Sequence, residues 1–137
     1  MVLLQLGIDC QLSSFTNVVR DIATTASNPS GTVSQDLYWL DNEQPYTLMV
    51  QFRLAETISS VSSCTVSTYL GEDPEAGAIA SDLVWTAGSW ETITGEIQPT
   101  ERNTTINLAA TCSFGGPGAI TEGNVLFDEV IFGPSNC

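Results

Sequence analysis

The chain has 137 residues, with three arginines, no lysine and no histidine against 16 Asp plus Glu, for a formal net charge of -13. That balance excludes nucleic acid and anionic membranes as partners, because both demand clustered Lys and Arg. The absence of histidine excludes Ser-His-Asp and Cys-His catalysis and any imidazole metal site. What remains are neutral molecules, or hard cations such as calcium that take oxygen ligands. Only 14% of the residues are charged and 42% are hydrophobic, so this is not an acidic disordered tail. The length suits one domain spanning residues 1–137. Ser and Thr together number 30, so the polarity comes mainly from hydroxyls, as suits an extracellular β-protein.

Helical patterning is scarce. Most apolar segments alternate with period two between Gly, Pro, Asn and Ser clusters, which predicts an all-β antiparallel sandwich. In the first third, Leu3 to Ile8, Val18 to Ala23 and Gly31 to Leu40 read as short strands, with a turn at Asn28-Pro29-Ser30-Gly31. Tyr38 and Trp39 precede a turn at Asp41-Asn42, one of the pair inward and the other outward. Tyr46 to Leu54 puts Leu48, Val50, Phe52 and Leu54 on one face and Thr47, Met49, Gln51 and Arg53 on the other. Cys64 to Leu70 places Cys64, Val66, Thr68 and Leu70 inward, with Thr65, Ser67 and Tyr69 outward.

An acidic loop follows at Glu72 to Gly77, and Trp85 beyond it reads as a core residue. Trp90 to Gln98 sets Ile93 and Ile97 against Trp90, Thr92, Thr94 and Glu96. Ile106 to Cys112 turns Ile106, Leu108, Ala110 and Cys112 inward and Asn107, Ala109 and Thr111 outward. The last strand, Asn124 to Phe132, is apolar on both faces apart from Asp128 and Glu129, which predicts a central strand or one carrying a bulge.

Four cysteines, none in a CxxC pair, predict two disulfides and an oxidising compartment. Their number alone allows three pairings. Cys64 and Cys112 both fall on the inward register of their strands, which favours a buried Cys64–Cys112 bridge. Cys10 would then pair with Cys137 and tie the chain ends together. Asn103-Thr104-Thr105 is an N-glycosylation sequon, whereas Asn28-Pro29-Ser30 is disqualified by its proline.

From Ser34 to Phe132 the chain resembles the jelly-roll carbohydrate-binding-module-like domains of secreted fungal proteins. Five segments carry the resemblance, in the family's order: Tyr46 to Leu54; Ser63-Cys64-Thr65-Val66 to Gly71; Gly88-Ser89-Trp90-Glu91-Thr92-Ile93-Thr94-Gly95; Leu108 to Ser113; and Val125 to Ile131. The family's opening Gly-Phe-Glu strand has only a faint counterpart in Leu6-Gly7-Ile8-Asp9. In related jelly rolls an early Glu and the Asp of the last strand help to hold a structural calcium. Of that pair only Asp128 carries over, as the candidate metal ligand.

The outward sets of the four clear strands, overlaid as one sheet face, make a polar surface with a few aromatics. Sugar binding needs such a mixture: an aromatic platform for the apolar face of a pyranose, and amide, carboxylate and guanidinium groups for its hydroxyls. The expected contacts are Gln51, Arg53, Tyr69, Trp90, Glu96 and Asn107. An ordinary solvated sheet, with Trp90 packed under a loop, has the same composition. Within the face, Arg53 is expected to pair with Glu96. The carboxylates Glu91 and Glu96 diverge, as do Asp128 and Glu129, and Asp73 and Glu75 share a loop, so no acid–nucleophile pair is expected.

The sequence therefore predicts a secreted, glycosylated, disulfide-bonded jelly-roll sandwich without catalytic activity. It would bind a neutral cell-wall or plant polysaccharide, needing no cofactor beyond a structural calcium. The alternative is a structural protein of an extracellular wall, coat or fibre, with exposed edge strands and the apolar run Met1 to Leu6 serving self-assembly or contact with another extracellular protein.

Overall fold

A computed structural model describes residues 13–14, 20–25, 27–55, 61–84, 88–114 and 122–135. They form nine strands: β1 (Ser13–Ser14), β2 (Arg20–Thr25), β3 (Ser30–Leu37), β4 (Tyr46–Leu54), β5 (Val61–Leu70), β6 (Ala78–Val84), β7 (Glu91–Ile97), β8 (Thr104–Phe114) and β9 (Glu122–Pro134). Two antiparallel sheets result. In the first, β4 lies between β7 and β9, and β1 and β2 pair with successive stretches of the far side of β9. The second has the order β3-β8-β5-β6. From β2 onward this is the strand order of a jelly roll, two interlocked Greek keys folded into facing sheets.

The period-two pattern accounts for the core. Tyr46, Leu48, Val50, Phe52 and Leu54 of β4 are buried between the sheets, as are Val125, Phe127, Val130 and Phe132 of β9. The second sheet answers with Cys64, Val66 and Leu70 from β5 and Ile106, Leu108 and Ala110 from β8. β9 is both central and bulged. Its pairing with β4 shifts register between Met49 and Gln51, and Glu129 takes a positive φ of 47°. The predicted Cys64–Cys112 bridge is present; it joins directly opposed residues of β5 and β8 within one sheet. Cys10, Cys137, Trp85 and the run Met1 to Leu6 lie outside the described residues. Strand β6 has no counterpart in the sequence reading, because Ala78–Val84 carries little alternation and sits at a sheet edge.

Two glycines mark where the sheets meet along their sides. A Cβ on Gly31 of β3 would lie 2.6 Å from Ile22 Cγ2 of β2, and one on Gly95 of β7 would lie 2.4 Å from the Ile79 carbonyl of β6. In both places consecutive strands of different sheets approach too closely for a side chain. Each glycine lets the sandwich close there.

One aromatic fixes the turn into β4. Tyr46 stacks on Phe132 with ring centroids 5.2 Å apart, and its hydroxyl accepts the Asp41 N–H at 2.8 Å. Tyr46→Phe should keep the stack and orphan that N–H, lowering stability by about 1 kcal/mol and the melting temperature by a few degrees in a thermal scan.

Candidate functional site

The register of β4 with its neighbours lays out the outer face of the first sheet as four rows. At one end Thr47 lies between Glu96 and Gly133, and next comes Met49 between Thr94 and Ile131. Gln51 then lies between Thr92 and Asp128. In the last row Arg53 has Leu126 on its β9 side, and on its other side its guanidinium carbon lies 5.0 Å from the centroid of the Trp90 ring. Rows two residues apart are about 7 Å apart, so the face runs for about 20 Å. It carries hydroxyl, amide and apolar groups in the middle with one carboxylate, Asp128, among them, the Trp90–Arg53 pair at one end and Glu96 at the other. Trp90 and Met49 are among the exposed large hydrophobics of the chain.

The six expected contacts do not share this face. Gln51, Arg53, Trp90 and Glu96 lie along it, but Tyr69 and Asn107 belong to β5 and β8 and so to the other sheet. Alternation tells which residues point outward; it does not tell from which sheet. Nor does Arg53 meet Glu96. Glu96 is opposite Thr47, six residues along β4 from Arg53 and so about 20 Å away. The guanidinium is instead a cation over an aromatic face, and its buried Nε has no hydrogen-bond partner among the described residues.

Asn107 is a structural residue. It is 94% buried although its position in β8 is an outward one, and all its polar capacity is spent inside the chain. Its Oδ1 accepts from Ser34 Oγ at 2.6 Å, and its Nδ2 donates to the carbonyl of Gly71 at 2.8 Å, with longer contacts to those of Tyr69 and Thr105. No donor is left for a ligand. Tyr69 is half-buried and lines a separate shallow cleft of about 360 Å³ with Pro74 and Ser81.

Asp128 lies in the Gln51 row of the first sheet, half-buried. Its Oδ1 accepts the N–H of Glu129 at 2.8 Å, and no group of three or more Asp, Glu, Cys or His lies close enough to hold a metal ion among the described residues. A calcium site draws on six to eight oxygens.

Strand β9 contributes to the same face, beyond the residues expected there. Leu126 and Ile131 extend the outer face beside β4, half-buried rather than core. Their signal was present in the apolar character of both faces of that strand; only its position next to β4 was missing. Tyr38 and Trp39 are both exposed, and the buried member of that loop is Leu40. At the same end of the sandwich the β5–β6 and β7–β8 loops enclose an open groove of about 640 Å³, bordered by Glu72, Asp73, Gln98 and Glu101.

No protein-family model matches this chain, and no curated protein matches it. Its backbone is another matter. The C-terminal domain of EclA, described as a sugar-binding protein, superposes with a TM-score of 0.57 at 18% identity, over 96% of this chain and 89% of that one. The likeness is one of fold. A Clostridium thermocellum xylanase 10B chain with CBM22-1 and GH10 modules, solved with xylohexaose, matches at a TM-score of 0.52 and 18% identity, over 95% of this chain and 25% of that one. A chain from the infectious bursal disease virus Gx strain matches at 0.53 and 15% identity, over 91% of this chain and 32% of that one. A sugar-binding protein, part of a xylanase chain and part of a virus chain thus share this fold.

Proposed function

We propose that the protein is a non-catalytic extracellular carbohydrate-binding domain that holds a neutral polysaccharide along the outer face of the first sheet. The observation that carries this reading is the Trp90–Arg53 pair at the end of a long face of mainly hydroxyl, amide and apolar groups. An indole presents an apolar surface to the C–H face of a sugar ring, while Gln51, the Thr hydroxyls and Arg53 offer donors and acceptors to its hydroxyls. Met49, Leu126 and Ile131 add apolar surface between them. A neutral chain also pays little for the net charge of -13. The sugar-binding relatives in fold support the reading, as does a disulfide suited to an oxidising compartment. Contacts are assigned to Gln51, Arg53 and Trp90, with Glu96 at the far end.

Affinity electrophoresis through gels containing xylan, mixed-linkage β-glucan or galactan tests the proposal. At least one polysaccharide should retard the protein, and Trp90→Ala should weaken that binding about tenfold or more, the worth of one stacked aromatic. Tyr69→Ala, on the opposite sheet, should leave it unchanged. Free migration in every gel overturns the reading. A coat or wall protein is the second reading, supported by the likeness to a virus chain. Against it stands the closure of the sandwich at Gly31 and Gly95, which draws β3 and β7 toward strands of the other sheet.

A further inference from the structure

Among the described residues Trp39 is the most exposed large hydrophobic, at 76%, and its φ of 59° is one that a bulky L-residue rarely takes. Its neighbours hold it there. Leu37 pairs with Thr104 at the end of β3, and Leu40 is buried and donates its N–H to the Arg102 carbonyl at 2.9 Å. Between these two anchors the Trp39 N–H donates to Asn103 Oδ1 at 3.1 Å. The indole is thus held out into solvent by a backbone whose N–H at Trp39 rests on the asparagine of the Asn103-Thr104-Thr105 sequon.

We infer that Asn103 carries an N-linked glycan and that Trp39 is the platform on which the first sugar of that glycan rests. The amide geometry suits both roles. Glycosyl transfer forms a bond between Asn103 Nδ2 and the anomeric carbon of a lipid-diphosphate-linked oligosaccharide; the lipid diphosphate leaves and the amide gives up one proton. Oδ1 takes no part in the new bond, so it goes on accepting the Trp39 N–H. Asn103 is itself exposed, and the attached sugar begins beside the Trp39 backbone. The first residue of such a glycan is a neutral N-acetylhexosamine, whose C–H face and acetyl methyl suit an indole surface. Nearby Glu101 and Glu43 do not oppose a neutral sugar. The occupant of this aromatic surface is therefore covalently delivered by the chain itself, at the end of the sandwich away from Trp90 and independently of any polysaccharide bound on the sheet face.

Secretion of the full chain from a eukaryotic host, alongside material from an oxidising bacterial host, tests this. Intact mass should show one glycan that is absent from Asn103→Gln. After an endoglycosidase trims the glycan to its first sugar, the melting temperature should exceed that of the unglycosylated protein by about 2–4 °C. Trp39→Ala, a change at an exposed side chain, should keep the glycan and lose that increment. Secreted protein unmodified at Asn103 overturns the inference, and so does an equal increment in Trp39→Ala. Weaker polysaccharide binding by unglycosylated Trp39→Ala would overturn it too, by making Trp39 a contact for an external ligand. Polysaccharide binding that fails only in Trp90→Ala leaves it standing.

Discussion

Replacing Cys64 and Cys112 together by alanine is expected to lower the unfolding free energy by about 4 kcal/mol, with a fall in melting temperature of 10 °C or more. The bridge closes a loop with a sequence separation of 48 residues, and in the chain-entropy model a loop of that size accounts for the figure. Both cysteines are buried and directly opposed across β5 and β8, with Cα atoms 4.0 Å apart, so the folded chain already holds them in place. The loop they close contains β6 and β7, the hairpin partner of β5 and the edge strand of the other sheet. Without the bridge, β5 and β8 still pair, but the unfolded chain regains the freedom of that whole segment. Denaturant titration of the oxidised and double-alanine proteins measures the difference; a loss below about 1 kcal/mol would show that the ladder alone sets the pairing. Polysaccharide binding well below the transition should survive, since neither cysteine lies on the first sheet.

Much of the fold was legible because alternation reports burial directly. Tyr46 to Leu54 is observed as β4 with the same bounds, and the inward residues read from β5, β7 and β8 are buried or half-buried as expected. The double-sided apolar character of β9 called for a central place or a bulge, and the strand has both. Sheet membership was not legible. In a jelly roll, successive strands pass back and forth between sheets, so β4 and β7 share one face while β5 and β8 share another. The local pattern of a strand is the same whichever sheet it joins. That is why a single polar face assembled from four strands divides into two. Arg53 meets Trp90 rather than Glu96 for a second reason, the register of β4 against β7, which the pattern of one strand does not carry either.

Charge placement sharpens what the composition announces. Glu72, Glu75 and Glu101 sit in exposed loops at one end of the sandwich, while the middle rows of the first sheet carry Thr92, Thr94, Gln51 and Met49. Negative charge is concentrated at the loop end, while the long face carries Glu96 and Asp128 against Arg53. A polyanion is thus repelled by the whole molecule, and a neutral chain meets little field where the aromatic lies.

Asn107→Ala is expected to cost about 3 kcal/mol of stability with no loss of polysaccharide binding in the folded protein. Position 107 faces outward by register, yet its side chain lies under Ser34 and the turn at Gly71, where the chain takes a positive φ of 80° to leave β5. One amide serves two strands and a turn. Oδ1 receives the Ser34 hydroxyl from β3, and Nδ2 holds the Gly71 carbonyl beyond the end of β5. Truncation removes the donor to the half-buried Gly71 carbonyl and the acceptor of the Ser34 hydroxyl, and opens a small void at a position that is 94% buried. Asn107→Asp should be worse near neutral pH, because it aims a carboxylate at carbonyl oxygens that need a donor. Chemical denaturation gives the cost, and affinity electrophoresis of the folded variant gives the binding. A variant of native stability that no longer binds polysaccharide would return Asn107 to the ligand site and put the second sheet, rather than the first, under the sugar.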